Sequence, residues 1–524
     1  MHSRLNRDRL GRYLLAAALA PALILSTGTP AVAATNTLTL TVLNRSGAKV
    51  SVTATVVSLD TNQTYRVRSG TKKKLPNGSY AVLTSVATGG TTTLGGKTLK
   101  VSGSTKLTVD SRKGKRVNLA VSPAPVDGHR NLSVRICANP DTFADVEAYG
   151  DDIYVIPTTS KKVTYAALGS WSDDSSLTDA YAVVHRTAGV PSKPTRTFSR
   201  SSLGSVSVMS RRGPAGSNTA QVRAQPVKTT CAAGMSAGLW NTDRPTTTKV
   251  WLSPGSWEME SNTWGAGRNG QSPSIGHHTA KRKIAAGKGT TVRFHNAVWG
   301  PGSELPGIRN GWMQFMMNEM FNDPYFPTGS SEGGDKATAT VSFKGKTVKT
   351  KKDRGWEPEM TVLEYKVKKA GWYTLTNKAT RHYPEITYPA GMLSTASTVS
   401  YRFHTKPNST ALAQVYSLAM FPIGLNSWNR AKAGSTTNVA LKLNRISHDP
   451  DYKRGKDPKV KSVTAKMSPD GGRTWRTVKV KKIKGTWTLL VPNPASGAVS
   501  LRTRATYTSG GYTDVTVYRA YGIA

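Results

Sequence analysis

The chain has 524 residues, and its 72 Lys and Arg against 30 Asp and Glu give a formal net charge of +42. That length allows three or four domains at ~100–200 residues each, and 37% apolar residues with 12 Trp and 19 Tyr are sufficient for packed cores. A field of this size draws polyanions at low salt, but no aromatic RNA-binding signature and no zinc-finger spacing accompanies it, which excludes a sequence-specific nucleic-acid reader.

At the start, Arg4, Arg7, Arg9 and Arg12 stand against Asp8. An apolar run over 14–25 follows, broken by Pro21, and Ala31-Val32-Ala33 precedes Ala34. This is the layout of a cleavable secretory signal over 1–34. A membrane anchor needs ~18 or more uninterrupted apolar residues, and no later stretch is apolar enough to span a bilayer. Removing the leader takes away four arginines and one aspartate, so +39 of the +42 remains. No cysteine lies at the cleavage site, which excludes a lipoprotein anchor.

Residues 37–42 alternate tightly, Asn44-Arg45-Ser46-Gly47 turns, and 50–58 is a second strand. Leu75-Pro76-Asn77-Gly78 is a turn into Ala81-Val82-Leu83, and strands over 105–109 and 117–121 close a small β-sandwich, 35–124. Pro123 and Pro125 mark a linker up to 128. A second β-rich module, 129–245, is less regular and carries Asp151-Asp152 and Asp173-Asp174 in loops. Asp173, Asp174 and Asp179 lack the spacing of a calcium loop.

The only cysteines are Cys137 and Cys231. In an exported protein two cysteines predict one disulfide; a loop of this length adds roughly 4–5 kcal/mol in the chain-entropy model. Two free buried thiols are the alternative. Gly234-Met235-Ser236-Ala237-Gly238 spells a nucleophile elbow, but an elbow needs a strand-to-helix turn, and the surroundings here are β and loop.

A third module, 246–408, opens with Val250-Trp251-Leu252 and Trp257-Glu258-Met259. His277-His278 has no carboxylate or cysteine companion and is expected in a surface loop. Met313, Met316, Met317 and Met320 fall at i, i+3, i+4, i+7, which predicts one short helix near 312–321. Four thioethers on one face could hold Cu(I), yet the same stripe fills ordinary cores. Strands follow over 337–343, 361–367, 372–376 and 398–404.

The fourth module, 409–524, holds the clearest local signal. Val463, Ala465 and Met467 alternate with Thr464 and Lys466, Asp470-Gly471-Gly472 supplies a tight turn, and a second strand runs from Arg476 to Lys482. Ser468, Asp470, Gly472 and Trp475 form a structural hairpin spelled Ser-x-Asp-x-Gly-x-Thr-Trp, with Trp475 expected to be largely buried. The spelling also matches the Asp-box turn of sialidases. Sialidase propellers carry such a box in several blades; the single full match here indicates a hairpin, not a propeller.

Several of these segments share an order with a known region. Residues 44–60, 75–80 and 107–121, read as Leu59-Asp60-Thr61, Pro76-Asn77-Gly78-Ser79-Tyr80 and Thr108-Val109-Asp110-Ser111-Arg112-Lys113, resemble the non-catalytic C-terminal extension of secreted subtilisin-like serine peptidases from high-GC Gram-positive bacteria. Arg381 and Ser394-Thr395 ahead of Tyr401-Arg402-Phe403 are similar to its Arg…Ser-Thr pattern. Residues 429–434, 468–475, 499–502 and 519–522 resemble its last module. The likeness spans nearly all of the chain after the leader. The blocks that carry the peptidase triad, such as His-Gly-Thr-His and Gly-Thr-Ser-Met-Ala, are missing, so no catalytic residue can be placed.

These readings converge on a mostly β protein of about four tandem β-sandwich modules, immunoglobulin-like or carboxypeptidase-regulatory-like. It is expected to be secreted, wall-associated and non-catalytic, with no metal or cofactor. The expected partner is an anionic envelope polymer or another polyanion. The alternatives are a secreted hydrolase, either a glycosidase or a divergent peptidase using Ser236, and an accessory protein of a separate peptidase.

Overall fold

The computed structural model describes residues 35–125, 129–148, 152–172, 179–213, 219–227, 231–242, 245–265, 267, 274–302, 304–326, 330–332, 335–353, 361–446 and 452–524. The leader, Asp173 and Asp174 lie outside the described residues. Among those described, every regular element is a strand except two short 3-10 turns, Ser111–Lys113 and Arg200–Ser202. No helix among them is long and apolar enough to cross a membrane.

Two sheets of the N-terminal region face each other. Thr35–Leu43 lies between Lys72–Pro76 and Thr105–Asp110, and Gly78–Thr88 pairs with Thr53–Ser58 and Thr91–Val101. Period-2 alternation sends Leu38, Leu40 and Val42 inward onto Val56, Val82 and Val109. The second of these sheets continues into the next expected module, because Asp152–Val155 pairs in parallel with Thr91–Val101.

A seven-stranded sheet is buried on both faces. It includes His129–Asn139, Thr164–Ser172, Asp179–Ala188, Thr246–Leu252 and Gly204–Ser210. Tyr165, Ala167, Tyr181 and Val183 pack on one side with Leu83, Leu94 and Ile136. Ala166, Leu168, Ala180 and Ala182 pack on the other with Val222, Leu239, Trp257 and Met259. Two buried faces remove the polar half of the alternation, which is why the sequence of this region reads as irregular. On the second side Cys137 and Cys231 are joined by a disulfide, Cα atoms 5.7 Å apart.

A sheet of twelve strands occupies the C-terminal half. Ala396–Thr405 pairs antiparallel with Tyr512–Ile523, from Ala396 opposite Tyr518 to Arg402 opposite Tyr512. One apolar core runs from Trp299 and Met313 through Tyr401 to Leu501 and Val517. Strand pairing therefore crosses the divide read at 408–409, and likewise that at 245–246, where Thr246–Leu252 pairs with Gly204–Ser210.

The helix expected near 312–321 is not formed. Trp312–Met316 is a strand between Gly307–Arg309 and Val362–Lys366. Arg309 pairs with Trp312 around Asn310-Gly311, whose φ angles of 49° and 77° are those of a tight hairpin turn. Burial then alternates: Met313 and Phe315 point inward while Trp312 is exposed. Met313, Met317 and Met320 are all core residues, so the four thioethers do not line one helical face. The Asn-Gly turn and the pairing on both sides outweigh a helical spacing that is also satisfied by core filling.

Candidate functional site

The hairpin over 468–475 closes on itself. The Ser468 hydroxyl donates to Asp470 Oδ1 at 2.7 Å and accepts the Gly472 amide at 2.8 Å. Thr474 donates its amide to Asp470 Oδ1 at 2.9 Å and its hydroxyl to Oδ2 at 2.6 Å. These Thr474 donors, with Ser468 behind them, hold the Asp470 carboxyl well below the usual carboxylate range. Gly471 and Gly472 both adopt positive φ, and a Cβ on Gly472 would collide with the Tyr518 ring. Trp475 is half-buried, not core: it donates Nε1 to the Gly472 carbonyl at 3.0 Å and meets Tyr518 edge-on. All four hairpin residues thus act on one another, and both oxygens of Asp470 are engaged within the turn.

Ser236 leads from a turn at 231–234 into the strand Ala237–Thr242. No helix follows it, so the elbow geometry is absent. His278 is not in a surface loop either. It lies in the strand Ser274–Ile284, whose alternation turns it fully inward while His277 stays half-exposed.

There it joins a buried polar knot. Its ring meets His295 edge-on at 4.9 Å, and His295 Nε2 is 2.9 Å from Ser261 Oγ. The Asn296 amide donates to Asp323 at 2.7 Å, and the Tyr325 amide donates at 2.9 Å. Burial pushes the Asp323 carboxyl up to about 6, against the opposing pull of His278 and these amides. Ser261, His278, His295 and Asp323 are all fully buried. The hydroxyl–imidazole pair is therefore closed to solvent.

Asn429 ties this knot to the C-terminal sheet. Buried and in left-handed backbone, it donates Nδ2 to the carbonyls of Arg212 and His295 at 2.9 and 2.8 Å. Its Oδ1 accepts from the Ala297 amide at 3.1 Å and from Arg211 at 3.3 Å.

The neighbours of Asn429 open onto a cleft of about 480 Å³. Three arginines line it, Arg212, Arg430 and Arg519, together with Trp428, and among the described residues no acidic side chain does. Trp428 is 47% exposed, with the Arg212 guanidinium over its ring at 5.4 Å. Arg519 donates Nε to the Met392 carbonyl at 2.8 Å and Nη2 to that of Gly391 at 3.4 Å. Arg430 is exposed and its backbone pairs with Gly522.

Arg381 and Ser394-Thr395 form the wall behind. Arg381 donates to the carbonyls of Ser394 and Thr395, each at 3.0 Å, and the Ser394 amide donates to Arg519 at 2.8 Å. Three segments read separately in the sequence, 381–395, 429–434 and 519–522, thus meet at one cleft. Nothing local in the sequence announces it, since its parts are up to three hundred residues apart (roughly the span from 212 to 522).

No family model matches the chain, and no curated protein matches it significantly. Solved structures do. The FN1–FN3 domains of chicken CNTN1 share 10% identity over 68% of this chain and 94% of that one, with a TM-score of 0.14. A streptococcal ancillary pilin shares 10% over 50% of this chain and 98% of that one, with a TM-score of 0.12. Escherichia coli alpha-2-macroglobulin activated by porcine elastase shares 8% over 94% of this chain but only 53% of that one, with a TM-score of 0.15. At these scores the fold class rests on the strands themselves.

Proposed function

We propose that the chain is an exported, non-catalytic β protein retained on an anionic cell envelope by its basic surface. The observation that carries this reading is where the charge stands. Lys72, Lys73 and Lys74 are exposed on an edge strand, and Lys479, Lys481, Lys482 and Lys484 are exposed on a second hairpin. Along the edge strand Lys346–Asp353 every residue before Asp353 is exposed, including Lys346, Lys349, Lys351 and Lys352.

Several carboxylates, by contrast, are held in local pairs. Asp110 is bound by Arg112 at 2.8 Å, and Asp514 by Arg502 and Arg504 at 3.0 and 2.6 Å. Screening over ~8 Å at physiological ionic strength leaves clusters as the main contributors. The secretory layout of 1–34 and the single disulfide agree with export. The resemblance to a peptidase extension supports a role beside a separate peptidase on the same envelope.

The test is cosedimentation with isolated envelope at low and high salt, comparing wild type with Lys-to-Gln variants at 72–74 and 479–484. Binding should fall with salt and with substitution. Lysine also guards strand edges from pairing; if that is its whole role, the variants will aggregate without losing affinity. Binding indifferent to both salt and substitution contradicts retention.

A further inference from the structure

We propose that the cleft bounded by Arg212, Arg430, Arg519 and Trp428 binds one anionic sugar unit, its oxyanion against the guanidinium groups of Arg430 and Arg519 and its ring against the indole. The inference rests on the envelope-retention reading and names the chemical group recognised. The lysine clusters lie on exposed strands; this site is a cavity of about 480 Å³, within the range of ligand pockets.

Two like charges, on Arg430 and Arg519, line the cleft with no acidic side chain among its described lining residues. An anion relieves their mutual repulsion, which a neutral ligand does not. Guanidinium groups present a planar fork matched to carboxylate and phosphate oxygens, where lysine offers only a point charge.

The site is also held in place before any ligand arrives. Arg519, which lines the cleft, is fixed by the carbonyls of Gly391 and Met392. The Arg212 carbonyl is gripped by Asn429, and the amides of Trp428 and Arg430 both donate to Asn426 Oδ1, at 2.9 and 3.0 Å. Preorganisation of this kind removes ordering costs from binding. Trp428, 47% exposed beside these cations, offers an apolar plane suited to the C–H face of a sugar ring.

The experiment is titration of the full mature chain, followed by indole fluorescence and calorimetry. The probes are tetragalacturonate, glucose 6-phosphate, inorganic phosphate and neutral maltotetraose. Saturable binding of tetragalacturonate assigns the anion as a carboxylate, and of glucose 6-phosphate as a phosphate. Maltotetraose should not bind, and inorganic phosphate should bind more weakly than the sugar phosphate.

Arg430→Gln should weaken the bound probe roughly tenfold to a hundredfold, as loss of a charged hydrogen bond does, and Trp428→Ala roughly tenfold. Both side chains are exposed, so the variants should unfold at the wild-type midpoint; Arg430→Lys, which keeps the charge and loses the fork, should fall between. Failure of both anionic sugars to bind, or equal binding by wild type and Arg430→Gln, overturns the inference. Inorganic phosphate binding as tightly as glucose 6-phosphate overturns its sugar part. Envelope binding that stays salt-dependent in those cases leaves retention standing. Probe binding alongside salt-indifferent envelope binding removes retention and leaves the cleft.

Discussion

The hairpin over 468–475 and the arginine cleft are closed by opposite means. In the hairpin each polar group finds its partner within four residues, as when Thr474 returns to Asp470 and Gly472 to Ser468. In the cleft the partners come from distant segments: Asn429 reaches the Arg212 carbonyl and Arg519 that of Met392. Local closure stabilises a turn whatever the rest of the chain does. Distant closure leaves room between the segments it joins, and that room is where a ligand fits.

The comparison can be broken first at Asn429. Asn429→Ala removes two donated and two accepted hydrogen bonds and strands buried backbone groups. It should cost about 3 kcal/mol in urea unfolding and abolish probe binding in the cleft. A cost near zero with binding intact would show that Asn429 is not the tie.

Acid–base behaviour sharpens the contrast. Asp323 holds its proton up to about pH 6 when folded, against ~4 unfolded. Between those values the folded state binds more protons at this site, so the contribution of Asp323 is greatest below ~4 and falls as pH rises through 6, by up to about 3 kcal/mol. Asp470 has the opposite sign. Its folded value is depressed, so its contribution is present above ~4 and is lost as pH falls. Unfolding measured from about pH 4 to 7, where of the two only Asp323 contributes a slope, should show a downward slope that Asp323→Asn flattens. An unchanged slope in that variant assigns it elsewhere.

The smallest effect is expected in the hairpin. Trp475→Ala should cost about 1–2 kcal/mol, less than the ~3–5 kcal/mol of a core tryptophan, because the ring is half-buried. A larger loss would make the hairpin part of the core after all.

What was legible in the sequence follows the same division. Strands buried on one face, such as Thr35–Leu43 and Val460–Ser468, alternate and can be read directly. Thr164–Ser172, buried throughout its middle, cannot. The methionine spacing fitted a helix because core filling by a strand and its following bends happens to repeat at three and four; Asn310-Gly311 was the stronger signal. His278 needed the register of its strand to be placed indoors. The disulfide was readable from a count of two. For the cleft, Arg381, Ser394, Asn429 and Arg519 were visible as pattern residues, but only folding shows that they share one wall.

The central claim is that clustered lysines hold the protein to an anionic surface. It is tested most directly by measuring affinity for isolated envelope across a salt series. Counterion release makes log affinity fall linearly with log salt, so wild type should give a steep line. A variant with Lys72, Lys73, Lys74, Lys479, Lys481, Lys482 and Lys484 changed to Gln should give a shallower one. A flat line for wild type, or the same slope for both, would contradict the account.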